Sequence, residues 1–329
     1  MRALLIGNYG VGNFGDEALR EYFLSAFPDV EWIVVSHSPF SILHSPFTPR
    51  LPFGFRSAFT PWWRTLRAMQ RCDAVVFGGG SLFTDVESTQ ACVLWWWHAF
   101  VARICGKPVI LAFQGVGPFR TRVGEWCARW VVTRAVHISV RDEKSFERVQ
   151  KWREDVVLSF DPVFSLLTQA TSYHSSPRLR PASKLQTANS SLVLIPRDNS
   201  TPHFFARAEK LWKSGKFPSV QILSFKPGER FPLPTGEGEG IGGARVTGIA
   251  SIEDLCHALS GASFILTQRY HGAVAALALG IPFETVAQGE GDKHATIPQS
   301  KEGLLERVSS GERSLREIFS GKPKSATMN

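Results

Sequence analysis

The sequence is short of the features that would settle its class at once. It has only 5 cysteines in 329 residues, an odd number in none of the spacings of a metal site. Neither a disulfide framework nor a cysteine-held metal organises it, and reduced thiols of a cytosolic protein are expected. Long apolar runs are missing too. The most hydrophobic stretch, residues 92–105 (CVLWWWHAFVARIC), is interrupted by His98 and Arg103 and is too short to span a bilayer. The opening MRALLIGNYG carries too short an apolar run for a signal peptide. Together these predict a soluble, cytoplasmic chain. Acidic residues are scarce: 29 Asp+Glu against 37 Lys+Arg leave a net charge of +8. That excess suits an anionic partner such as phosphate, nucleic acid or an anionic membrane surface, without choosing among them.

What is present alternates. At 43% hydrophobic and 20% charged, the chain can bury a sizeable core, and disorder is excluded. Residues 3–6 form an apolar run ending in glycine, the pattern of a parallel strand buried on both faces. Asp16 is suited to cap the helix that follows, in which Ala18, Leu19, Tyr22 and Phe23 recur at helical spacing. Strand-like runs return at 32–35, 74–77, 109–113, 137–140 and 156–159, with helical stretches at 62–71, 88–105, 122–134 and 143–152. From residue 166 the composition turns to Ser, Pro, Thr and Arg, which reads as a linker. A second series then places strands at 192–195, 220–225, 245–247, 264–267 and 283–287, with helices at 204–214, 252–259 and 271–279. Residues 232–243 read as a loop, and 301–319 as an amphipathic helix before a polar tail. The expected architecture is α/β: two Rossmann-like, doubly wound parallel-sheet domains facing a cleft. They fall at 1–165 and 191–300, joined by a linker at 166–190 and followed by a C-terminal helix and tail at 301–329.

In open parallel sheets ligands bind beyond the carboxyl ends of the strands. In the first half those ends carry glycines and small polar groups; in the second they carry basic residues. Gly10-x-Gly12-x-x-Gly15 lies between a strand and a helix and matches the dinucleotide fingerprint. The acidic residue expected about 20 positions later to hold ribose hydroxyls is absent from Ser36-His37-Ser38. Asp16 and Glu17 would also compete with a pyrophosphate for the helix N-terminus. A neutral, hydroxyl-rich ligand suits this loop better, with Gly12, Asn13 and Asp16 as contacts, although Asp16 equally suits a plain cap. Gly79, Gly80 and Ser81 allow close backbone approach. Gln114 and Asp85 add polar groups, Asp85 also fitting an ordinary first-turn acid. In the second half Arg197, Lys226, Arg269, His271 and Lys293 form a candidate cationic pocket, since a guanidinium fork matches carboxylate or phosphate.

Taken in order, GNYGVGNFGDEA at 7–18, FGGGSLFTDVES at 77–88, QGVGP at 114–118, RDEKS at 141–145, DPVF at 161–164, QRYHG at 268–272 and GDK at 291–293 resemble the polysaccharide pyruvyl transferases. The likeness runs from the first strand to about residue 295. The segment at 77–88 is most similar to the branch that pyruvylates secondary cell-wall polymers for S-layer anchoring. The resemblance implies a GT-B-like fold, phosphoenolpyruvate as co-substrate with no other cofactor and no metal, and a sugar acceptor that is free or lipid-linked. The family's Arg-x-His signature falls on Arg269 and His271, with Tyr270 where leucine is common, and its donor-binding arginine matches Arg197.

On this reading His271 is the candidate acid, Arg197 and Arg269 hold the donor's carboxylate and phosphate, and Lys226 and Lys293 assist. Asp16 is the candidate base. Gly12, Asn13, Asp16, Gly79, Gly80, Ser81, Asp85 and Gln114 are the candidate acceptor contacts. The runner-up is a glycosyltransferase using a nucleotide sugar, whose ribose would need Glu284 or Glu290. No nucleic-acid module is recognisable, so none is expected as partner. A peripheral contact with the inner membrane surface would use Trp62 or Trp63 with Arg56, Arg64 and Arg67. Trp95, Trp96 and Trp97 read as packing residues on a helix.

Overall fold

A computed structural model describes residues 1–37, 46–53, 60–174, 190–231, 244–288, 296–298 and 300–321. The described residues fall into two compact units, one within 1–11, 19–162 and 303–329, the other within 12–18 and 163–302. The whole second-half loop at 232–243, the tail from 322, and Arg56, Glu290 and Lys293 lie outside the described residues.

The first unit is built on seven parallel strands: β1 (Arg2–Ile6), β2 (Glu31–Ser36), β3 (Phe47–Pro49), β4 (Ala74–Phe83), β5 (Val109–Val116), β6 (His137–Val140) and β7 (Val157–Leu158). Their order is β3-β2-β1-β4-β5-β6-β7. The central strands are apolar throughout because both faces are covered. On one face α2 (Trp63–Arg71), α3 (Thr89–Ile104), α4 (Arg122–Arg134) and α5 (Glu143–Gln150) bury their inner sides in one core with Ile6, Phe77 and Leu111. His98 on α3 is part of this packing. Its Nδ1 meets the Leu94 carbonyl at 2.8 Å and its Nε2 accepts from the Leu51 N–H at 3.0 Å, while burial pushes its pKa down to about 4.

On the other face α1 (Phe14–Ala26) and α10 (Leu304–Phe319) surround an aromatic cluster. Phe319 packs edge-on to Phe27 (5.3 Å) and Trp32 (5.8 Å), and the Tyr22 hydroxyl donates to Glu312 at 3.1 Å. Gly311 lets α10 come close: a Cβ there would lie 2.6 Å from Ser159 Oγ and 2.7 Å from the Phe113 ring. The division between units falls inside α1.

Three strands depart from the sequence reading, which has no strand at β3 (Phe47–Pro49) and ends β4 and β5 too early. β4 does not stop at 77 in a glycine turn but continues to Phe83. Gly79 and Gly80 adopt φ +77° and +81°, and the register against β5 slips between Gly80 and Phe83, so a bulge carries the strand through. β5 likewise runs to Val116, past a slip against β6 between Leu111 and Gln114. Phe113, inside that slip, has φ +53°, a conformation costing about 1–3 kcal/mol, and its N–H is taken by Ser139 Oγ at 2.9 Å.

The second unit holds five parallel strands: β8 (Ser191–Ile195), β9 (Ser219–Ser224), β10 (Arg245–Gly248), β11 (Ala262–Thr267) and β12 (Phe283–Thr285), ordered β10-β9-β8-β11-β12. Helices α7 (Pro202–Trp212), α8 (Ile252–Leu259) and α9 (Tyr270–Leu279) connect them. The linker read from residue 166 is corrected here, because α6 (Val163–His174) is a helix. Val163, Phe164 and Leu167 are fully buried at helical spacing, and that burial outweighs the polar composition that follows. Residues 175–189 lie outside the described residues.

All five cysteines are free, and burial raises the thiol pKa of Cys72, Cys92, Cys127 and Cys256, to about 12 for Cys92. Among the described residues no helix is long and apolar enough to cross a membrane, and no group of three His, Cys, Asp or Glu is placed to hold a metal ion.

Candidate functional site

A parallel sheet opens a crevice where neighbouring strands send their connections in opposite directions, at the carboxyl ends. In the second unit those neighbours are β8 and β11, paired through Ile195 and Thr267. Arg197 lies two residues past Ile195 and Arg269 two past Thr267, so the strand pairing itself sets both arginines at the same level. Arg269 Nε donates to the Pro196 carbonyl at 3.1 Å, tying the two loops together. The Arg197 N–H donates to Ser200 Oγ at 2.8 Å. Neither α7 nor α9 has a side-chain cap on its N-terminus at this end. Such ends favour an anion.

Arg269 is not a bare cation. It forms an ion pair with Glu229, whose side chain is fully buried. Glu229 Oε2 also accepts from Ser224 Oγ (2.9 Å) and from the Phe225 N–H (3.2 Å), so the loop after β9 folds back and seats the carboxylate under the guanidinium. Lys226, at the tip of that loop, is exposed. Gln268, just before Arg269, is fully buried, and neither its amide nitrogen nor its oxygen has a hydrogen-bond partner among the described residues. An unmet buried amide costs about 1–3 kcal/mol.

Residues 12–18 belong to this unit. The Phe14 N–H donates to the Phe225 carbonyl at 2.8 Å, and the two rings lie 4.8 Å apart. This anchoring starts α1 at Phe14, so Asp16 sits in the first turn rather than at the cap. Asp16 Oδ2 accepts from the Asn13 side-chain amide at 2.7 Å. Gly15 lies against the imidazole of His271, and a Cβ at Gly15 would overlap its Nδ1. The fold thus assembles Asn13, Gly15, Asp16, Arg197, Lys226, Glu229, Gln268, Arg269 and His271 in one unit.

The first unit treats its sequence-predicted residues differently. Gln114 is fully buried, and its Nε2 donates to the carbonyls of Phe77 (2.9 Å) and Gly79 (3.1 Å), bolting β4 to β5, while its Oε1 has no hydrogen-bond partner among the described residues. Gly79 is buried, with Leu19 2.7 Å from where a Cβ would be, and Gly80 is buried as well. Asp85 clamps the entry to α4: it accepts from the N–H groups of Arg120 (2.6 Å) and Thr121 (2.8 Å) and from Thr121 Oγ1 (2.5 Å). Ser81 is half-buried and receives Arg141 Nη2 at 2.7 Å, while Arg141 Nη1 is 2.8 Å from the fully buried Asp161. Reading the sequence for strand ends finds Arg141 but not its burial or its partner. Glu284, the ribose candidate of the runner-up, is held by both ends of the Arg207 guanidinium at 2.8 and 2.7 Å.

Burial alone would raise the pKa of Asp85, but the Thr121 hydroxyl and the two N–H groups outweigh it and hold the carboxyl below its ordinary value. A depressed folded-state pKa adds stability that is present above the unfolded value of about 3.9 and lost as pH falls through the folded one. Asp85→Asn is therefore expected to lower Tm at neutral pH, with the gap to wild type closing on acidification below about pH 4. Thermal melts across that range check it; a gap independent of pH would contradict the clamp.

A family model described as polysaccharide pyruvyl transferase matches residues 13–287. The chain belongs to that family. No curated protein matches it. Among solved structures this pyruvyl transferase family member is similar to the UDP-N-acetylglucosamine 2-epimerase from Rickettsia bellii (14% identity, TM-score 0.58, 97% of this chain and 96% of that one). It is also similar to the UDP-GlcNAc 2-epimerases from Neisseria meningitidis, solved with UDP-GlcNAc (12%, 0.55, 97% and 92%), and from Methanocaldococcus jannaschii (12%, 0.55, 97% and 99%). At such identities these likenesses establish the GT-B-like fold class of the pyruvyl transferase and nothing of its chemistry.

Proposed function

We propose that the protein transfers the pyruvyl group of phosphoenolpyruvate to two hydroxyls of a sugar in a polysaccharide or its precursor, closing a cyclic ketal and releasing phosphate. The observation that carries this reading is the convergence of Arg197, Arg269 and His271 at the crevice between β8 and β11, beside two uncapped helix N-termini. A small donor with a carboxylate and a phosphate matches two guanidinium forks at one level. Glu229 holds one fork in place so that it need not reorganise when the donor binds.

In the proposed reaction His271 gives a proton to the methylene carbon of the donor, and C2 becomes oxocarbenium-like. A sugar hydroxyl adds to C2 as Asp16 takes its proton. The bond from C2 to the phosphate oxygen then breaks, Arg197 and Arg269 stabilising the charge that develops on phosphate. The second hydroxyl closes the ring. Of the two hydroxyl protons, one balances the new methyl group and the other leaves with phosphate. An imidazole suits the first step because it is the side chain that most often serves as a general acid. The likeness at 77–88 supports an acceptor of the secondary cell-wall polymer class, free or lipid-linked, and a site of action at the cytoplasmic face.

Phosphate release from phosphoenolpyruvate in the presence of a disaccharide acceptor panel, coupled to a mass gain on the sugar, tests the reading. Arg197→Ala is expected to raise the KM for phosphoenolpyruvate at least tenfold, with a smaller change in the KM for acceptor. Thermal stabilisation by UDP or GDP with none by phosphoenolpyruvate would instead establish the glycosyltransferase alternative, which the engagement of Glu284 by Arg207 disfavours.

A further inference from the structure

The helices α2, α3 and α4 bury their inner sides in the same core, and what they turn outward is unusual in composition. On α4, Val123 and Trp126 are each 54% exposed; on α3, Ile104 is 69% exposed; on α2, Trp63 is 48% exposed. Behind Trp126, half-buried rings packed against the core form a connected group: Trp96 meets Phe100 (5.3 Å), Trp126 (5.5 Å) and Trp130 (6.0 Å), and Trp97 meets Phe100 (5.8 Å). These contacts join α3 to α4 and seat the exposed Trp126 ring on them.

Charge on these helices is nearly all positive. They carry Arg64, Arg67, Arg71, Arg103, Arg122, Arg129 and Arg134, and Glu125 as their single acid. None of the seven arginines has an ion-pair partner among the described residues. Arg134 instead lies over the Trp130 ring at 4.7 Å. The three helices thus account for most of the chain's excess of positive charge.

We infer that this face docks on an anionic lipid bilayer, with Trp126, Val123 and Ile104 entering the headgroup region and the arginines meeting lipid phosphates. Tryptophan is the residue that settles at a membrane–water boundary, because its ring is apolar while its N–H remains wet. Unpaired arginines around an apolar patch add attraction to anionic lipid and fix the depth. A second copy of the chain is a poor occupant, since a symmetric contact would set arginine against arginine. The sequence places the membrane contact at Trp62 and Trp63 and assigns Trp95, Trp96 and Trp97 to packing; the structure bears out the packing, with Trp95 buried in the core and Trp96 and Trp97 against it, and adds Trp126 on α4 as an exposed ring. The inference concerns binding alone and does not depend on the donor being phosphoenolpyruvate.

The test is flotation of the full chain with vesicles of phosphatidylcholine alone and of equimolar phosphatidylcholine and phosphatidylglycerol. Binding is expected to the mixed vesicles only, and to weaken as salt is raised. The double variant Trp126→Ala/Arg129→Glu should reduce partitioning at least tenfold, while Lys210→Glu on α7 should leave it unchanged. Arg129 is exposed and Trp126 gives up only its contact with Trp96, so the variant should keep the wild-type circular dichroism spectrum and stay folded at the assay temperature, with a slightly lower Tm. Equal binding to both vesicle types, or partitioning unaffected by the double variant, would overturn the inference. So would a wild-type dimer that the double variant turns into a monomer, since the face would then belong to a second copy.

Discussion

Gly15→Ala is expected to reduce turnover at least 100-fold while leaving the protein folded, much as His271→Ala would. The substitution is otherwise favourable, because alanine is better than glycine inside a helix by about 1 kcal/mol and Gly15 lies in the first turn of α1. What opposes it is the imidazole of His271, whose Nδ1 occupies the space a Cβ would take. The ring must move, and a proton donor displaced by about 1 Å loses on the order of 100-fold in rate. Removing the donor altogether costs about 100- to 10,000-fold. Measuring kcat and Tm together separates the explanations. Loss of kcat at constant Tm places His271 in the chemistry. A fall in Tm with proportional loss of soluble protein would mean that the contact only packs the start of α1 against α9. If both variants stay within a few fold of wild-type turnover, the assignment of His271 is wrong.

Glu229→Leu is expected to lower folding stability by about 3–5 kcal/mol, the usual cost of leaving one member of a buried ion pair without the other. The Glu229 side chain is fully buried and Arg269 only 14% exposed, so solvent does little to soften the loss. Arg269→Met should do similar damage, because the carboxylate is then left with only Ser224 Oγ and the Phe225 N–H. The double variant should recover most of the stability, since an apolar pair of similar volume is often no worse than the ions. It should not recover activity. Denaturant titration gives the first quantity and kcat/KM for phosphoenolpyruvate the second. Recovery of both in the double variant would show that the guanidinium braces the loop after β9 and does not touch the donor.

Most of the fold is legible in the sequence because its strands are short apolar runs between turn residues and its helices carry strong periodicity. The sequence marks α4 at 122–134 and α8 at 252–259, and the structure has them at the same residues. Elements whose local signals conflict with packing are lost. Gly78–Gly80 look like a turn because glycine ends strands more often than it continues them, and only the bulge against β5 shows otherwise. α6 is hidden because its buried residues come at the very start of a polar segment.

The site divides in the same way. Arg197, Arg269 and His271, the residues of the proposed donor site, are legible because a single sequence locates strand ends well and ligands of such sheets bind beyond them. Glu229 is not, since nothing local distinguishes an acid four residues into a loop from any solvated charge; its burial is a tertiary fact. Gln114 and Asp85 show the converse. Their positions are right for contacting a ligand, but the direction of a side chain past a bulge is not encoded by spacing, and both point into the protein.

The path of the chain has a consequence for how such enzymes can be recombined. Because α10 returns to the first unit after the second is complete, and Phe319 and Glu312 close over Phe27, Trp32 and Tyr22, neither unit is a contiguous stretch of the gene. A chimera made by a single splice near residue 162 would leave an aromatic core uncovered. A viable exchange needs a second splice near residue 303, so the terminal helix travels with the lobe it seals.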